Sequence, residues 1–263
     1  EKNELPIFTL NFGRGIISDN HENCLGQASP SALNAFKKIT SESDLIILLG
    51  VRLSLYIGWG RTFNPSAKII QVDIESEEIG RNRPAHLPIV SDIDKALLKV
   101  NSKIVNLGLN FSEWINICKE WKDDEWKEVL RLKNNDEKPL HVLRVVKSIE
   151  DVLGKDAMLC VDGGDTQAWT DSTYNVDKAG IYMKGGPLGC MGVGVPFAIG
   201  SKVAFPDRQV ALISGDGAIG MNFMEFETAV KHKIPFVSIV CNDQSWGMTK
   251  HQHWINYGKD NTP

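Results

Sequence analysis

The sequence contains 263 residues, of which 42% are hydrophobic and 24% are charged, and its formal net charge is −4. This composition is ordinary for a soluble globular protein, and at about 150 residues per domain the length predicts two domains. The slight acidity argues against a nucleic-acid-binding surface, and no apolar run approaches the ~20 residues of a membrane-spanning helix. The N-terminus has no secretory pattern, and the five cysteines lack a C-x-x-C pair, which indicates reduced thiols. We therefore expect a cytoplasmic protein that binds neither nucleic acid nor a membrane.

Apolar strands alternate with helical segments in the first hundred residues. Near-continuous apolar runs at 45–49 and 67–74 predict parallel strands that are covered on both faces, and a short helix is predicted at 92–100. Residues 111–133 then place apolar side chains at helical spacing among many charges, which is typical of an amphipathic helix or a helix pair. These patterns indicate an α/β domain followed by a helical linker. The predicted bounds are 1–105 for the domain and 106–138 for the linker.

The α/β alternation resumes in the second half, which we interpret as a second domain at residues 139–263. A glycine-dense segment at residues 185–194 lies inside it. The expected fold class is therefore α/β, with two doubly wound, mainly parallel-sheet domains joined by a helical linker. The elements predicted in this half are helices at 140–153, 196–205 and 223–232 and strands at 157–161, 209–213 and 236–241.

Acidic and amide side chains follow two predicted strands of the second domain. Gly215-Asp216-Gly217 comes after one strand, and Asn242-Asp243 comes directly after the next. Only a helix and a strand separate the two motifs, so the tips of neighbouring parallel strands should bring the aspartates side by side. Oxygen ligands beside glycine turns suit Mg²⁺ and a phosphate. Taken singly, each motif is more often a tight turn or a helix cap, but their combination at this spacing favours a metal site.

Polar residues near these motifs have further interpretations. Asn222 and Glu225 have the spacing of a capping box and are predicted to cap the helix that follows. His251 and His253 follow the second motif. They are either acid–base groups at a substrate entrance or ordinary solvent-exposed residues.

Together these motifs resemble the thiamine diphosphate-dependent enzymes of the acetolactate synthase, benzaldehyde lyase and 2-hydroxyacyl-CoA lyase type. The family signature begins with Gly-Asp-Gly and ends with an Asn-Asn pair, which correspond here to residues 215–217 and 242–243. The resemblance covers nearly the whole chain. Supporting stretches are residues 185–192 and 242–247, together with residues 69–74 and 79–84, which are similar to the family's middle domain.

The resemblance implies a metal site at the carboxyl ends of the second domain's strands. Mg²⁺ would be bound by the carboxylates of Asp216 and Asp243 and by the backbone carbonyl of Ser245, with Asn242 as the alternative ligand. This sequence departs from the family pattern because Asp243 stands where the family has asparagine. The extra carboxylate should strengthen cation binding but repel the diphosphate.

By the same resemblance, the glycine-dense segment would hold the aminopyrimidine ring of thiamine diphosphate. The Gly189 carbonyl would accept a hydrogen bond from the 4′-amino group, and Met191 would be the apolar wedge beneath the bent cofactor. Judged by residue type alone, Met191 is more often ordinary core packing. The residues expected to contact the diphosphate or to lie beside the cofactor are Gly164, Asp165, Thr166, Gly215, Gly217, Ala218, Trp246 and Gly247.

The leading activity implied by the resemblance is that of an acetolactate synthase-like carboligase and decarboxylase acting on a 2-keto acid such as pyruvate. One alternative is a C–C lyase of the benzaldehyde lyase or 2-hydroxyacyl-CoA lyase type, with an acyloin substrate. Another is a non-catalytic cofactor-binding fragment. That alternative arises because the family's activating glutamate lies in a pyrimidine-binding domain that we do not find in this sequence, so the catalytic residue is unknown here.

The resemblance has three further implications. Members of the family assemble their sites between subunits, so a homodimer or homotetramer is expected. Relatives bind FAD or ADP in the middle domain, where Asp73 would hold a ribose. The chain is expected to be a fragment, with a diphosphate-binding domain that stops soon after its metal loop.

Overall fold

The computed structural model describes residues 4–29, 34–104 and 107–261. The chain divides into two compact units. The first comprises residues 1–10 and 21–127, and the second comprises residues 11–20 and 128–263. The predicted domain boundary at residues 105 and 106 lies outside the described residues.

The first unit contains a two-stranded and a three-stranded parallel sheet. Its strands are β1 (Ile7–Thr9), β2 (Cys24–Gln27), β3 (Leu45–Leu49), β4 (Lys68–Asp73) and β5 (Leu87–Val90), and its first two helices are α1 (Asn34–Glu42) and α2 (Ile93–Ile104). β1 pairs with β2, and the other strands follow the order β3-β4-β5. The strands predicted at 45–49 and 67–74 are confirmed as β3 and β4.

The covering of β3 differs from the expectation. Leu48 is buried in one cluster with Phe36 of α1 and Ile69 of β4. Leu45 and Ile47, which alternate with it, are 46% and 47% exposed. The prediction that both faces of this strand are covered was therefore wrong for the face that carries Leu45 and Ile47.

A single helix, α3 (Ser112–Lys133), runs through most of the predicted linker. The sequence allowed one helix or two, and the structure has one helix without interruption. Ile115 and Cys118 are buried in a cluster with Leu25 and Ile39. Burial raises the pKa of the Cys118 thiol to about 12.

Six α-helices and four strands follow α3 in the described part of the second unit. They are α4 (Val142–Val152), β6 (Met158–Asp162), α5 (Gly164–Thr173), β7 (Tyr182–Lys184), α6 (Gly194–Ala204), β8 (Val210–Gly215), α7 (Asp216–Met221), α8 (Glu225–Lys231), β9 (Val237–Cys241) and α9 (Gly247–Tyr257). The four strands form one parallel sheet in the order β7-β6-β8-β9. The α/β fold class with parallel sheets is therefore confirmed.

Successive residues of β6 and β8 pack on opposite faces of the second sheet, which explains their unbroken apolar runs. On one face Cys160 and Leu212 contact a cluster that includes Ala198 of α6. On the other face Leu159 and Ile213 share a cluster with residues of α4. Helices therefore cover both faces of β6 and β8, and this packing fixes the positions of the carboxyl ends of these strands.

Residues 11–20 belong to the second unit although they come early in the chain. Arg14 is 5% exposed. Its guanidinium donates to the backbone carbonyls of Asp171 and Tyr174 at 2.7 and 2.8 Å and pairs with the Asp19 carboxylate. These contacts fasten the segment to the end of α5.

Two structural findings concern the helices and the cysteines. In the part of the chain that the structure describes, no helix is both long enough and apolar enough to span a bilayer. No disulfide is found among the described residues, and the side chains of Cys24, Cys118 and Cys160 are buried.

Candidate functional site

The candidate site lies at the carboxyl edge of the second sheet. Asp162 at the end of β6 pairs in register with Ser214 of β8, and Gly215 of β8 pairs with Cys241 of β9. The segments that leave β6, β8 and β9 therefore start side by side. The prediction that Asp216 and Asp243 follow neighbouring parallel strands is confirmed.

Asp216 is the first residue of α7 and is partly buried. Its Oδ1 accepts a hydrogen bond from the backbone N–H of Gly217 at 2.9 Å. The predicted glycine turn is thus the N-terminus of a short helix. A carboxylate at a helix N-terminus is stabilised there by the exposed backbone N–H groups of the first turn.

The segment after β9 is folded into two overlapping side-chain turns. Asn242 Oδ1 accepts from the backbone N–H of Gln244 at 3.0 Å, and Asp243 Oδ1 accepts from that of Ser245 at 3.2 Å. The Ser245 hydroxyl donates to Asp243 Oδ2 at 2.9 Å and accepts from Lys250 Nζ at 2.7 Å. These hydrogen bonds hold the oxygen atoms of Asp243 and Ser245 together in one loop, with the Lys250 ammonium group beside it.

Two glycines allow the segments to approach one another closely. A Cβ atom at Gly217 would lie 2.5 Å from Trp246 Cδ1. A Cβ atom at Gly247 would lie 2.7 Å from Asp243 Oδ2 and 2.8 Å from Asp165 Oδ2. Side chains at these positions would collide with these groups, so only glycine allows the segments to pack this closely.

The start of α5 completes this edge and carries the predicted residues Gly164, Asp165 and Thr166. Asp165 Oδ2 lies 2.8 Å from Nδ1 of His251 on α9. Thr166 is buried, and its hydroxyl would lie 3.5 Å from a Cβ atom at Gly215. The structure thus brings His251 to the predicted site residues through Asp165.

The glycine-dense segment is fastened at its end to the same sheet edge. Asp162 is 1% exposed, and its carboxylate accepts from the backbone N–H groups of Gly163 and Gly194 at 2.8 and 2.7 Å. Burial raises the pKa of Asp162, and the backbone hydrogen bonds oppose that rise. Sequence reasoning missed Asp162, although its place at a strand end directly before two glycines was a signal.

The capping-box prediction for Asn222 and Glu225 was wrong. The residue at the N-cap of α8 is Met224. Asn222 Nδ2 instead donates to the backbone carbonyl of Gly192 at 2.6 Å, and a Glu225 carboxylate oxygen accepts from the Thr228 hydroxyl at 2.9 Å. Asn222 therefore binds the glycine-dense segment.

Gly189 and Met191 lie on the open part of that segment. Gly189 has a positive φ of 64°, and its backbone N–H donates to the carbonyl of Gly186 at 2.9 Å. Met191 is 38% exposed, so it is not a buried core residue. Trp246, on the loop after β9, is 59% exposed. Both side chains are accessible to a ligand.

No group of three or more His, Cys, Asp or Glu side chains that could hold a metal ion is found among the described residues. Two carboxylates and a serine are a sparser donor set. Mg²⁺ typically uses only one or two protein carboxylates and takes its other ligands from phosphates and water. The donors on this edge therefore suit Mg²⁺ bound together with a phosphate ligand.

A separate groove of about 450 Å³ lies at the carboxyl edge of the first unit's sheet. Asp73, at the end of β4, is 7% exposed, and its Oδ1 accepts from the backbone N–H of Glu75 at 3.0 Å. The groove is lined by Gly50, Arg52, Asp73, Ile74, Glu75, Ser91, Asp92 and Ile93.

Three curated relatives align with nearly all of the chain. A probable acetolactate synthase large subunit of Methanococcus aeolicus is 32% identical over 97% of this chain and 45% of its own length. The acetolactate synthase isozyme 1 large subunit of Escherichia coli is 29% identical over 98% of this chain and 45% of its own length. The 2-hydroxyacyl-CoA lyase 2 of Caenorhabditis elegans is 31% identical over 92% of this chain and 38% of its own length. The chain thus spans less than half the length of these relatives.

Two family models match successive parts of the chain. The model described as thiamine pyrophosphate enzyme, central domain, matches residues 1–100. The model described as thiamine pyrophosphate enzyme, C-terminal TPP binding domain, matches residues 162–263, which include the site at the edge of the second sheet. The resemblance seen in the motifs is confirmed, and the chain belongs to the thiamine pyrophosphate enzymes, with their central domain followed by their C-terminal TPP binding domain.

Proposed function

We propose that the protein is a thiamine diphosphate- and Mg²⁺-dependent carboligase and decarboxylase of the acetolactate synthase type. In the proposed reaction, two pyruvate ions and one proton give 2-acetolactate and CO₂. The observation that carries this proposal is that Asp216 and the 242–247 loop directly follow the neighbouring strands β8 and β9, with Gly217 close to Trp246. Relatives named acetolactate synthase large subunit support the choice of activity.

Asp216, Asp243 and Ser245 are the proposed ligands of Mg²⁺, with Asn242 as the alternative. Asp216 and Asp243 supply one carboxylate each, and Ser245 supplies its backbone carbonyl. The fit rests on the oxygen donors, which are of the type that Mg²⁺ takes together with a phosphate. Gly164, Thr166, Gly215, Gly217, Ala218 and Gly247 would surround the diphosphate.

The rest of the cofactor would lie along the glycine-dense segment. The Gly189 carbonyl would accept from the aminopyrimidine, Met191 would support the cofactor from below, and Trp246 would contact it from the metal loop. When bound, thiamine diphosphate supplies an electron sink for breaking and forming the carbon–carbon bonds of the substrate.

His251 is proposed as an acid–base group beside the bound substrate. Its Nδ1 lies against the Asp165 carboxylate, and its ring is half exposed, so a substrate could reach it. A carboxylate that orients one ring nitrogen of an imidazole fixes which nitrogen faces the substrate. His253, on the same helix, does not share this partner in the described contacts.

Turnover of pyruvate tests the proposed activity. Purified full-length protein with thiamine diphosphate and Mg²⁺ should convert pyruvate to 2-acetolactate, and Asp216→Ala should abolish the reaction together with metal-dependent cofactor binding. If pyruvate gives no 2-acetolactate while an acyloin or a 2-hydroxyacyl-CoA is cleaved, the protein is a lyase, as its likeness to a 2-hydroxyacyl-CoA lyase would support. Cofactor binding with no turnover of any of these substrates would instead support a non-catalytic binding module.

A nucleotide such as ADP or FAD is a second proposed ligand, in the groove at the edge of the first unit's sheet. Open parallel sheets bind ligands at the carboxyl ends of their strands, and the Asp73 carboxylate suits ribose hydroxyls. Titration with ADP tests this, and Asp73→Asn should weaken the binding.

The proposed setting is a cytoplasmic homodimer or homotetramer acting on a small 2-keto acid. Light scattering after gel filtration measures the oligomeric state, and a monomer at all concentrations would contradict it.

A further inference from the structure

We infer that Asn222 is a positioning residue that couples the two ends of the cofactor site. In this inference, binding of Mg²⁺ and a diphosphate beside Asp216 orders the glycine-dense segment through Asn222. The inference rests on the proposed function, because it assumes that one ligand lies across both ends of the site.

The first observation is the hydrogen bond between Asn222 and Gly192. Asn222 directly follows the last residue of α7, and its Nδ2 donates to the Gly192 carbonyl oxygen at 2.6 Å. Two residues further along the segment, the Gly194 N–H donates to the buried Asp162 carboxylate at 2.7 Å. The end of the glycine-dense segment is therefore held from one side by β6 and from the other by α7.

The second observation is the close approach of the segment to α7. Gly192 has a φ of +82°, and a Cβ atom there would lie 2.9 Å from Met221 Cβ and 3.2 Å from Asn222 Nδ2. The backbone at Gly192 thus rests on the last turn of α7 as closely as a glycine permits. A displacement of that turn must move Gly192 or break the hydrogen bond.

The third observation is the position of α7 itself. This helix has six residues and begins at Asp216, the proposed metal ligand, so its two ends are about 9 Å apart at 1.5 Å per residue. Leu188 and Met191 of the glycine-dense segment are exposed. A ligand that fixes the start of α7 would therefore also fix its end, and Asn222 would restrain the exposed part of the segment through Gly192.

Hydrogen–deuterium exchange with Mg²⁺ and inorganic pyrophosphate tests this coupling, because pyrophosphate occupies only the diphosphate end. In the wild-type protein, these ligands should slow amide exchange in residues 185–194. In Asn222→Ala and Asn222→Leu, pyrophosphate should bind as in the wild type, but the protection of that segment should be lost. Thiamine diphosphate binding should weaken roughly 2- to 10-fold in both variants, the fold-change of one lost hydrogen bond.

Asn256→Ala is the matched control, because Asn256 is an exposed amide whose side chain accepts from Gln252 on α9. It should leave the protection unchanged. Full protection of residues 185–194 in both Asn222 variants would overturn the inference and leave the proposed function standing. Loss of pyrophosphate binding in those variants would also overturn it, because Asn222 would then act on the diphosphate end itself. If the wild-type protein binds neither pyrophosphate nor thiamine diphosphate, the proposed function fails as well.

Discussion

Gly217 lies against the indole of Trp246, and this contact leaves no room for a side chain. A Cβ atom at position 217 would lie 2.5 Å from Cδ1 and 2.6 Å from Nε1 of the indole. Gly217→Ala should displace Trp246 and weaken thiamine diphosphate binding roughly tenfold, which corresponds to about 1.4 kcal/mol of binding free energy. Calorimetric titration in the presence of Mg²⁺ measures this change.

Gly220→Ala is the control for that substitution, because Gly220 lies in the same helix and a Cβ atom there meets nothing within 4 Å. It should leave cofactor binding unchanged and stabilise α7 by up to about 1 kcal/mol, since alanine favours helix over glycine. Wild-type affinity in Gly217→Ala would show that the Trp246 contact is not part of the cofactor site.

Asp243 is a proposed ligand of Mg²⁺, and its charge should be measurable in metal binding. Asp243→Asn removes one negative charge from an exposed loop. In a solvent-exposed site the lost attraction between charges is roughly 1 kcal/mol, so the Mg²⁺ concentration for half-maximal cofactor binding should rise about fivefold. Titration of Mg²⁺ at constant thiamine diphosphate measures it. An unchanged Mg²⁺ requirement, together with a loss in Asn242→Ala, would assign the ligand to Asn242.

At the residue scale, the sequence predicted which segments meet but not how their side chains are used. The paired motifs at 216 and 243 were recognisable because consecutive parallel strands must end at one edge. The roles of Asp162 and Asn222 depend on contacts with Gly194 and Gly192, distant in sequence. A spacing rule for local caps could not have shown those contacts, and for Asn222 it gave the wrong partner.

At the scale of elements, α4 begins with a cap that titrates. His141 Nδ1 accepts a hydrogen bond from the backbone N–H of Leu143 at 3.2 Å, which requires the neutral imidazole. Burial lowers the pKa of His141, and the positive charge of Arg131 adds to this effect. A group whose pKa is lower in the folded state stabilises the fold above its unfolded pKa, about 6.5 for histidine, and that stability is lost as the pH falls through the folded value.

His141→Asn should therefore remove this pH dependence, because asparagine caps a helix without titrating. When the pH is lowered from ~8 to ~5, the wild type should lose about 1 kcal/mol of unfolding free energy relative to His141→Asn. Urea unfolding followed at both pH values measures the difference. If the wild type and His141→Asn differed in unfolding free energy by the same amount at both pH values, the proposed role of His141 as a titrating cap would be contradicted. His141→Ala removes the cap, so it should be less stable than His141→Asn at both pH values.

The elements that could be predicted are those with long apolar runs or clear amphipathic spacing, such as β3, β8 and α3. The short strands β1 and β7 were missed, because three residues are too few to show a period of two. The helices α7 and α9 were not predicted, since residues 215–217 were interpreted as a glycine turn and His251 and His253 only as residues that follow the second motif. Both start directly at site residues, Asp216 and Gly247, and the glycines that open the site also hide the helical pattern.

For the whole molecule, the two units present the same kind of edge. In each unit an acidic residue lies at the carboxyl end of a parallel strand: Asp73 is the last residue of β4, and Asp216 directly follows β8. The edges differ in what surrounds the carboxylate. The first has a groove with further acidic residues, Glu75 and Asp92, and the second has glycines and helix starts. Acidic side chains suit ribose hydroxyls, whereas open backbone N–H groups suit a diphosphate, so the two edges should take different ligands.

Hydrogen–deuterium exchange over the whole chain tests this division of ligands. Thiamine diphosphate with Mg²⁺ should slow amide exchange at 163–166, 215–218 and 242–247, and ADP should slow it at 50–52, 73–75 and 91–93. Asp216→Ala should remove only the first set of protections, and Asp73→Asn only the second, because each carboxylate serves one edge. If either ligand protects both sets, or if ADP protects the second sheet alone, then the assignment of one ligand to each sheet is wrong.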